Sequence, residues 1–232
     1  MNRDTPGFED AQAGARVNRP CPSGRRSADL PRLVLASGNR AKLAEIERIL
    51  APRGLRIVPQ AALFEVQAEE TGASFVENAI LKARFAAERT GLASLADDSG
   101  ISVDALGGEP GIRSARYAGD GASDADNLRK LIEALRGVPD ERRTASFHCV
   151  ICVLRHARDP MPLICAGTWE GRIAGSPRGA HGFGYDPVFL PGAGSRTAAE
   201  LEPATKDRMS HRGRALAELA RRFESLPGPA PE

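Results

Sequence analysis

The stretch LVLASGNRAKLAEIERIL, residues 33–50, changes its period half-way along. Four apolar residues, Leu33 to Ala36, read as a short buried strand. After them Leu43, Ile46 and Leu50 recur at spacings of three and four, which is one face of a helix. A tight Ser37-Gly38-Asn39 turn joins the two, so the unit is strand, turn, helix. Arg40 and Lys42 fall in the first helical turn, where the helix dipole is already positive and further cations are disfavoured. A bound anion would reverse that penalty. Backbone N–H groups at a helix start, the small Gly38, the donors Ser37 and Asn39 and the point charge of Lys42 suit a polyphosphate together. The spacing is not that of a P-loop. A plain strand–helix turn with solvated cations is the competing reading, and this stretch alone does not separate the two.

Outward from there, strand and helix signals alternate. LRIVPQ (55–60) is a second strand. A helix runs from Ser74 to about Arg89, with Ser74 and Glu77 as a capping box, Gly91 as its stop and Val76, Ile80, Ala83 and Ala87 as its apolar stripe. ASLADDSGISVDAL (93–106) reads as strand, acidic turn, strand, and a third helix covers about Asp124 to Leu135. Residues 145–174 give two strands joined by the turn HARDP, with room for a third. FGYDPVFL (183–190) is a short strand. The last helix starts at Ser210 and carries Leu216, Leu219 and Phe223 on its apolar side. A hairpin among crossovers makes this α/β with a mixed sheet.

Length and composition restrict the alternatives. The 232 residues allow one sizeable domain or two small lobes. No apolar run approaches the roughly 18 residues that span a bilayer, so a soluble protein without a membrane partner is expected. Basic and acidic residues number 32 and 30 and are intermixed. A nucleic-acid binder usually shows a basic surplus or stripe, so a small anionic ligand is expected instead of a polymer. Cys149 and Cys152 form a CxxC, but residues three apart on a strand point to opposite faces and no second pair completes a metal site. Reduced thiols in a cytoplasmic protein fit them better. Residues 1–31 lack periodicity and any secretory apolar core, and read as a disordered extension. Residues 226–232 read as a flexible tail, leaving residues 32–225 as the folded domain.

Chemistry gathers at four further places. Asp97 and Asp98 stand side by side at the end of an apolar strand, followed by Ser99. Adjacent residues on an extended chain face opposite ways, so one carboxylate enters a site and the other supports the turn. Carboxylates there suit Mg²⁺, or proton abstraction from water. Glu69 and Glu70 precede the second helix, where acidic residues are also ordinary dipole partners. Lys82 lies off the apolar stripe of that helix and by itself reads as solvated. HGFGYDPVF offers Phe183 and Tyr185 as flat surfaces for a base and Asp186 as an acceptor, while Phe189 reads as core. SHRGRAL places His211 and Arg212 in another helical first turn.

The motifs SGNRAKLAEI, EETGASFVENAILKA, LADDSGISVDALGGEPGIRSARYAG, HGFGYDPVF and SHRGRAL, in that order, resemble the inosine/xanthosine triphosphate pyrophosphatases over essentially all of residues 32–225. His181 departs from the small residue expected there. The resemblance implies a two-lobed α/β protein with a long curved mixed sheet, helices on its flanks and a central substrate cleft, usually homodimeric. It implies hydrolysis of ITP, dITP or XTP to a monophosphate and pyrophosphate, which removes deaminated purines from the nucleotide pool. On this chain Ser37, Gly38, Asn39, Arg40, Ala41 and Lys42 would cradle the triphosphate. Asp98 would accept a proton and ligate Mg²⁺ (Mn²⁺ also fits), with Glu69 or Glu70 completing the metal site. Ser99 would contact substrate, and Phe183, Gly184, Tyr185, Asp186, Lys206, His211 and Arg212 would form the nucleoside pocket. Donors from His211, Arg212 or nearby amides would meet a 6-keto oxygen and oppose the amine of adenine.

Two rivals remain. A Maf-like nucleotide pyrophosphatase would share the opening turn but lack FGYDPVF and SHRG. A non-enzymatic nucleotide-binding regulator would keep the pocket but could dispense with Asp98.

Overall fold

A computed structural model of the chain describes residues 32–223. The proposed terminal segments and the Phe223 side chain lie outside the described residues. The strands are β1 (Arg32–Leu35), β2 (Arg56–Pro59), β3 (Ser94–Val103), β4 (Thr144–Leu154), β5 (Leu163–Ile173) and β6 (Phe189–Pro191). The α-helices are α1 (Arg40–Leu50), α2 (Phe75–Thr90), α3 (Asp124–Ala134), α4 (Pro203–Met209) and α5 (His211–Phe223). One mixed sheet has the order β2-β1-β3-β4-β5-β6. β1 is parallel to β2 and to β3, and every later pairing is antiparallel. The α/β reading with a mixed sheet is borne out.

Strand alternation decides what each helix covers. Leu33, Leu35, Leu95, Ile151 and Val153 face one way and pack with Ile46 and Leu50 of α1 and Leu216 and Leu219 of α5. Val34, Ala36, Ala96, Val150 and Cys152 face the other way, onto Ala79, Ala83 and Ala86 of α2. β1 is therefore covered on both faces, which is why its sequence is a continuous apolar run. Farther along the same long strands, Ile101, Val103, Phe147 and Trp169 join Phe189, Leu131 and Leu135 in a third cluster. Between Ala96 and Ile101 the apolar pattern of β3 is interrupted by Asp97-Asp98-Ser99-Gly100, and that interruption positions the site.

β3 is one continuous strand, where a turn was expected. Asp97 pairs with Ile151 and Asp98 with Val150 in the antiparallel ladder. Each carboxylate finds cations on its own face, so the acidic pair does not break the strand. Gly100 lets the following 3-10 turn (Gly111–Arg116) lie against β3: a Cβ there would sit 2.4 Å from the Gly111 carbonyl oxygen.

Other expectations shift locally. Of the expected α2 stripe, Ala83 and Ala87 are buried, Ile80 is half-buried and Val76 is 39 % exposed; Ala79 and Ala86 complete the buried face, small residues that bring the helix close to the sheet. Ser74 caps α2 by accepting from the Glu77 amide, but the Glu77 carboxylate takes the Ser74 hydroxyl, not its backbone N–H. FGYDPVFL is mostly a 3-10 turn, Asp186–Val188, with strand only at Phe189–Pro191. α4, opened by Pro203, carries no strong period and was not read from the sequence. Cys149 and Cys152 do face opposite clusters, and burial pushes both thiols up to about 12.

Candidate active site

The two aspartates take different partners because their strand sends them to different faces. Asp97 points toward α1 and α5, where Lys42 Nζ lies 3.0 Å and Arg212 Nη2 3.3 Å from Oδ2. Burial alone would raise its pKa. Lys42 and Arg212 overcome that and hold the carboxyl far below the usual range. Asp98 points toward α2, where Lys82 Nζ donates to Oδ1 at 2.9 Å and Asn78 Nδ2 to Oδ2 at 3.2 Å. Here burial wins over Lys82, and the Asp98 pKa is raised. A raised carboxyl is the better proton acceptor of the two, while Asp97 is locked as an anion.

A cavity of about 630 Å³ is lined by Glu70 and Lys82, and Asp98 lies behind it, bonded to Lys82 but not itself part of the lining. The lining comprises Ser37, Gly38, Asn39 and Lys42 of the β1–α1 turn, residues 67–71, Lys82 and Arg116. The turn is internally organised. Asn39 Oδ1 accepts from the Ala41 and Lys42 amides, and Ser37 Oγ accepts from the Asn39 amide. Two of the helix-start amides expected to be free are thus capped by the chain itself. Arg40 is exposed and does not line the cavity. Lys42 is held to Asp97, so its place in the first turn is stabilised by a carboxylate from the sheet.

Of the two glutamates, Glu70 is the one tied to Asp98. Lys82 Nζ bridges Glu70 Oε1 at 2.8 Å and Asp98 Oδ1 at 2.9 Å, and Arg116 Nη1 holds Glu70 Oε2 at 2.9 Å. Burial raises the Glu70 carboxyl, but Lys82 and Arg116 more than offset it, so its pKa is lowered. Glu69 lines the cavity from an exposed position. Glu70 and Asp98 therefore share one cation, the Lys82 ammonium that stands between them, and as hard oxygen donors they are of the class that holds Mg²⁺ together with substrate oxygens. No group of three or more metal-binding side chains occurs among the described residues.

Behind Lys42, ion pairs continue into the expected nucleoside pocket. Arg212 donates to Glu45 Oε2 at 2.5 Å and to Ser99 Oγ at 3.0 Å. Lys206 Nζ bridges Glu45 Oε1 at 3.0 Å and Asp186 Oδ2 at 2.6 Å. The cations Lys42, Arg212 and Lys206 thus balance Asp97, Glu45 and Asp186. Burial raises Glu45, yet Arg212 and Lys206 bring its pKa below the ordinary value. Phe183 covers this cluster, with Lys206 Nζ 5.2 Å and Arg212 Cζ 5.6 Å from its ring centroid. Asp186 also accepts from the Phe183 amide at 2.9 Å. Gly182, at φ +77°, leaves room for that carboxylate, which a Cβ would meet at 2.0 Å.

One expected base contact is placed otherwise, and a second is uncharged. Tyr185 is buried and donates its hydroxyl to the Ser114 carbonyl at 2.8 Å, so it is a core anchor and not a platform. His211 stacks on Phe147 at 4.6 Å and 7°. Its burial, with Arg212 and Lys206 beside it, drives its pKa well below the usual value, so it is a neutral imidazole and not a cation. Glu45, Asn78 and Arg116 were missed. Glu45 looked like the solvated face of α1, and only the packing of α5 and α4 against that helix reveals its role.

Residues 33–222 match the sequence pattern of the Ham1 family. The chain belongs to the Ham1 family. A dITP/XTP pyrophosphatase of Methylococcus capsulatus is 57% identical over 198 residues, 85% of this chain and 98% of that protein. Another, of Yersinia pestis, is 57% identical over 187 residues, 81% of this chain and 95% of its own length. A HAM1 protein structure from Coxiella burnetii superposes with a TM-score of 0.77 at 49% identity, covering 85% of this chain and all of that one. The Staphylococcus aureus Ham1 structure gives 0.74 at 38% identity, with 84% and 98% covered. Ham1 membership bears out the resemblance read from the motifs.

Proposed function

We propose that the protein hydrolyses ITP, dITP and XTP to the nucleoside monophosphate and pyrophosphate, and so removes deaminated purines from the nucleotide pool. The observation that carries this reading is the Asp98–Lys82–Glu70 cluster, whose Lys82 and Glu70 line one cavity together with Ser37, Gly38, Asn39 and Lys42 of the β1–α1 turn. The names of the relatives point the same way. In this reading the triphosphate lies along the cavity, with Ser37, Asn39 and Lys42 on one side. Water attacks phosphorus and the α–β bridging P–O bond breaks. Its electron pair leaves with pyrophosphate, and Asp98 takes the proton of the water. Glu70 and Asp98 would hold Mg²⁺, which when bound neutralises charge on the phosphate oxygens.

The base would rest by Phe183, over Lys206 and Arg212. Neutral His211 and the Arg212 region supply donors for a 6-keto oxygen. Adenine presents an amine there, and a donor left unpaired costs about 1–3 kcal/mol, roughly tenfold to a hundredfold in selectivity. A homodimer in the cytoplasm belongs to this reading. No helix among the described residues is long and apolar enough to cross a membrane. The test is product analysis with ITP and Mg²⁺: IMP and pyrophosphate are expected, with Asp98→Asn nearly inactive. Inorganic phosphate and IDP as products would mean that a different bond is cut.

A further inference from the structure

The motif GIRSARYAG has no place in the mechanism so far, yet the fold holds its turn with unusual care. Ser114 Oγ accepts from the Ile101 amide at 2.9 Å and donates to the Gly111 carbonyl at 2.6 Å. The Ser114 carbonyl takes the Tyr185 hydroxyl, the Ala115 carbonyl takes Asn127 Nδ2 at 3.1 Å, and Asn127 Oδ1 accepts from the Ala118 amide at 2.7 Å. Ser114, Asn127 and Tyr185 are all buried, so the residues on either side of Arg116 are fixed from within the core. The bare Cα of Gly100, two positions after Asp98, lets this turn lie against β3. What the arrangement delivers to the cavity is one guanidinium.

The cations facing the cavity differ in how fully they are committed. Lys42 is paired with Asp97, and Lys82 with both Glu70 and Asp98. Arg116 uses one amino group on Glu70, and its side chain stays 31% exposed. Among the described residues Glu70 is the only side chain to which it is bonded. An arginine has five N–H donors in a planar fork that matches phosphate oxygens two at a time. Exposed Asp120 lines the same cavity, so the anion must meet the guanidinium and not the carboxylate.

We infer that Arg116 binds the terminal phosphates of the substrate and retains the pyrophosphate leaving group, while its bond to Glu70 orients that carboxylate. This deepens the pyrophosphohydrolase reading and rests on it. Lys42 and the Arg116 fork, both lining the cavity, then together hold the triphosphate. Charge moves onto the leaving pyrophosphate as the bridging bond breaks, and the guanidinium lies where that charge develops.

The experiment is calorimetric titration of the full chain with pyrophosphate plus Mg²⁺, and separately with IMP, for wild type, Arg116→Gln and Arg116→Lys. ITP turnover and its dependence on Mg²⁺ concentration are measured on the same preparations. Arg116→Gln is expected to weaken pyrophosphate binding about tenfold to a hundredfold with IMP binding unchanged. Arg116→Lys, which keeps the charge but not the fork, should recover only part of that loss. Unchanged pyrophosphate affinity, an equal loss for IMP, or a shift confined to the Mg²⁺ half-saturation point would overturn the inference and leave Arg116 as a clasp on Glu70. If the Gln variant does not fold, the Lys variant reads the same contrast. Wild type that binds pyrophosphate through Arg116 but leaves ITP intact would sink the functional reading and keep the binding site.

Discussion

Neighbouring aspartates with opposite pKa shifts should respond differently to the same substitution. Asp97 is 1% exposed and its folded pKa is strongly depressed, so the folded state favours its charge. Asp97→Asn leaves Lys42 and Arg212 without that countercharge. Breaking a buried pair costs about 3–5 kcal/mol. Arg212 keeps Glu45, and Lys42 borders the open cavity and can turn to water, so the lower end applies, about 3 kcal/mol. For a domain of this size that corresponds to a drop in Tm of roughly 6–12 °C. Asp98 has a raised pKa, so the fold disfavours its charge, and Lys82 retains Glu70 when it is neutralised. Asp98→Asn should stay within about 1 kcal/mol of wild type while turnover falls by about 10²–10⁴. Urea unfolding followed by the fluorescence of Trp169, the single tryptophan and a buried one, reads both. Equal midpoints for Asp97→Asn and wild type, or a loss in Asp98→Asn as large as in Asp97→Asn, would refute the electrostatic assignment.

The remaining expectations are separable. His211 is neutral when buried, with a folded pKa well below its unfolded value near 6.5. Its contribution is complete above that value and is lost as pH falls below it, because the unfolded chain takes up the proton first. Wild type should lose about 1.4 kcal/mol per pH unit more than His211→Leu just below pH 6, a difference that urea midpoints at pH 5 to 7 would show or exclude. Glu45→Gln removes one carboxylate from a balanced buried cluster and should cost about 2–4 kcal/mol. An unchanged urea midpoint would mean that Lys206 and Arg212 are not desolvated. Gly100→Ala forces a Cβ against the Gly111 carbonyl and should destabilise by about 1–3 kcal/mol while moving Arg116. A variant with native stability and native pyrophosphate affinity would contradict the close packing of that turn.

Much of the fold was readable because strand and helix periods are clean where the chain packs on both sheet faces. β1, α1, α2 and α5 announce themselves through Leu33–Ala36, Leu43/Ile46/Leu50, the Ser74 cap and Ser210. The misreadings share a cause: local chemistry was taken without its partners. Asp97-Asp98 looked like a turn because nothing in the sequence shows that Lys42, Arg212 and Lys82, from three different helices, neutralise it. Glu45, more than 160 positions before Lys206 and Arg212, looked like surface for the same reason. Tyr185 looked like a base platform because the demand of Ser114 for a donor is a tertiary fact. Glu69 and Glu70 could not be separated by spacing, and the reach of Lys82 distinguishes them.

The most direct test of the central claim is pyrophosphate release in the presence of Mg²⁺ from ITP, XTP, ATP and GTP, compared as kcat/KM. Rapid turnover of ITP and XTP is expected, with a rate on ATP lower by at least about tenfold and with pyrophosphate and not phosphate as product. Equal kcat/KM on ITP and ATP would contradict the role assigned to the Phe183–Arg212 pocket, and no turnover of any of the four would contradict the role assigned to Asp98.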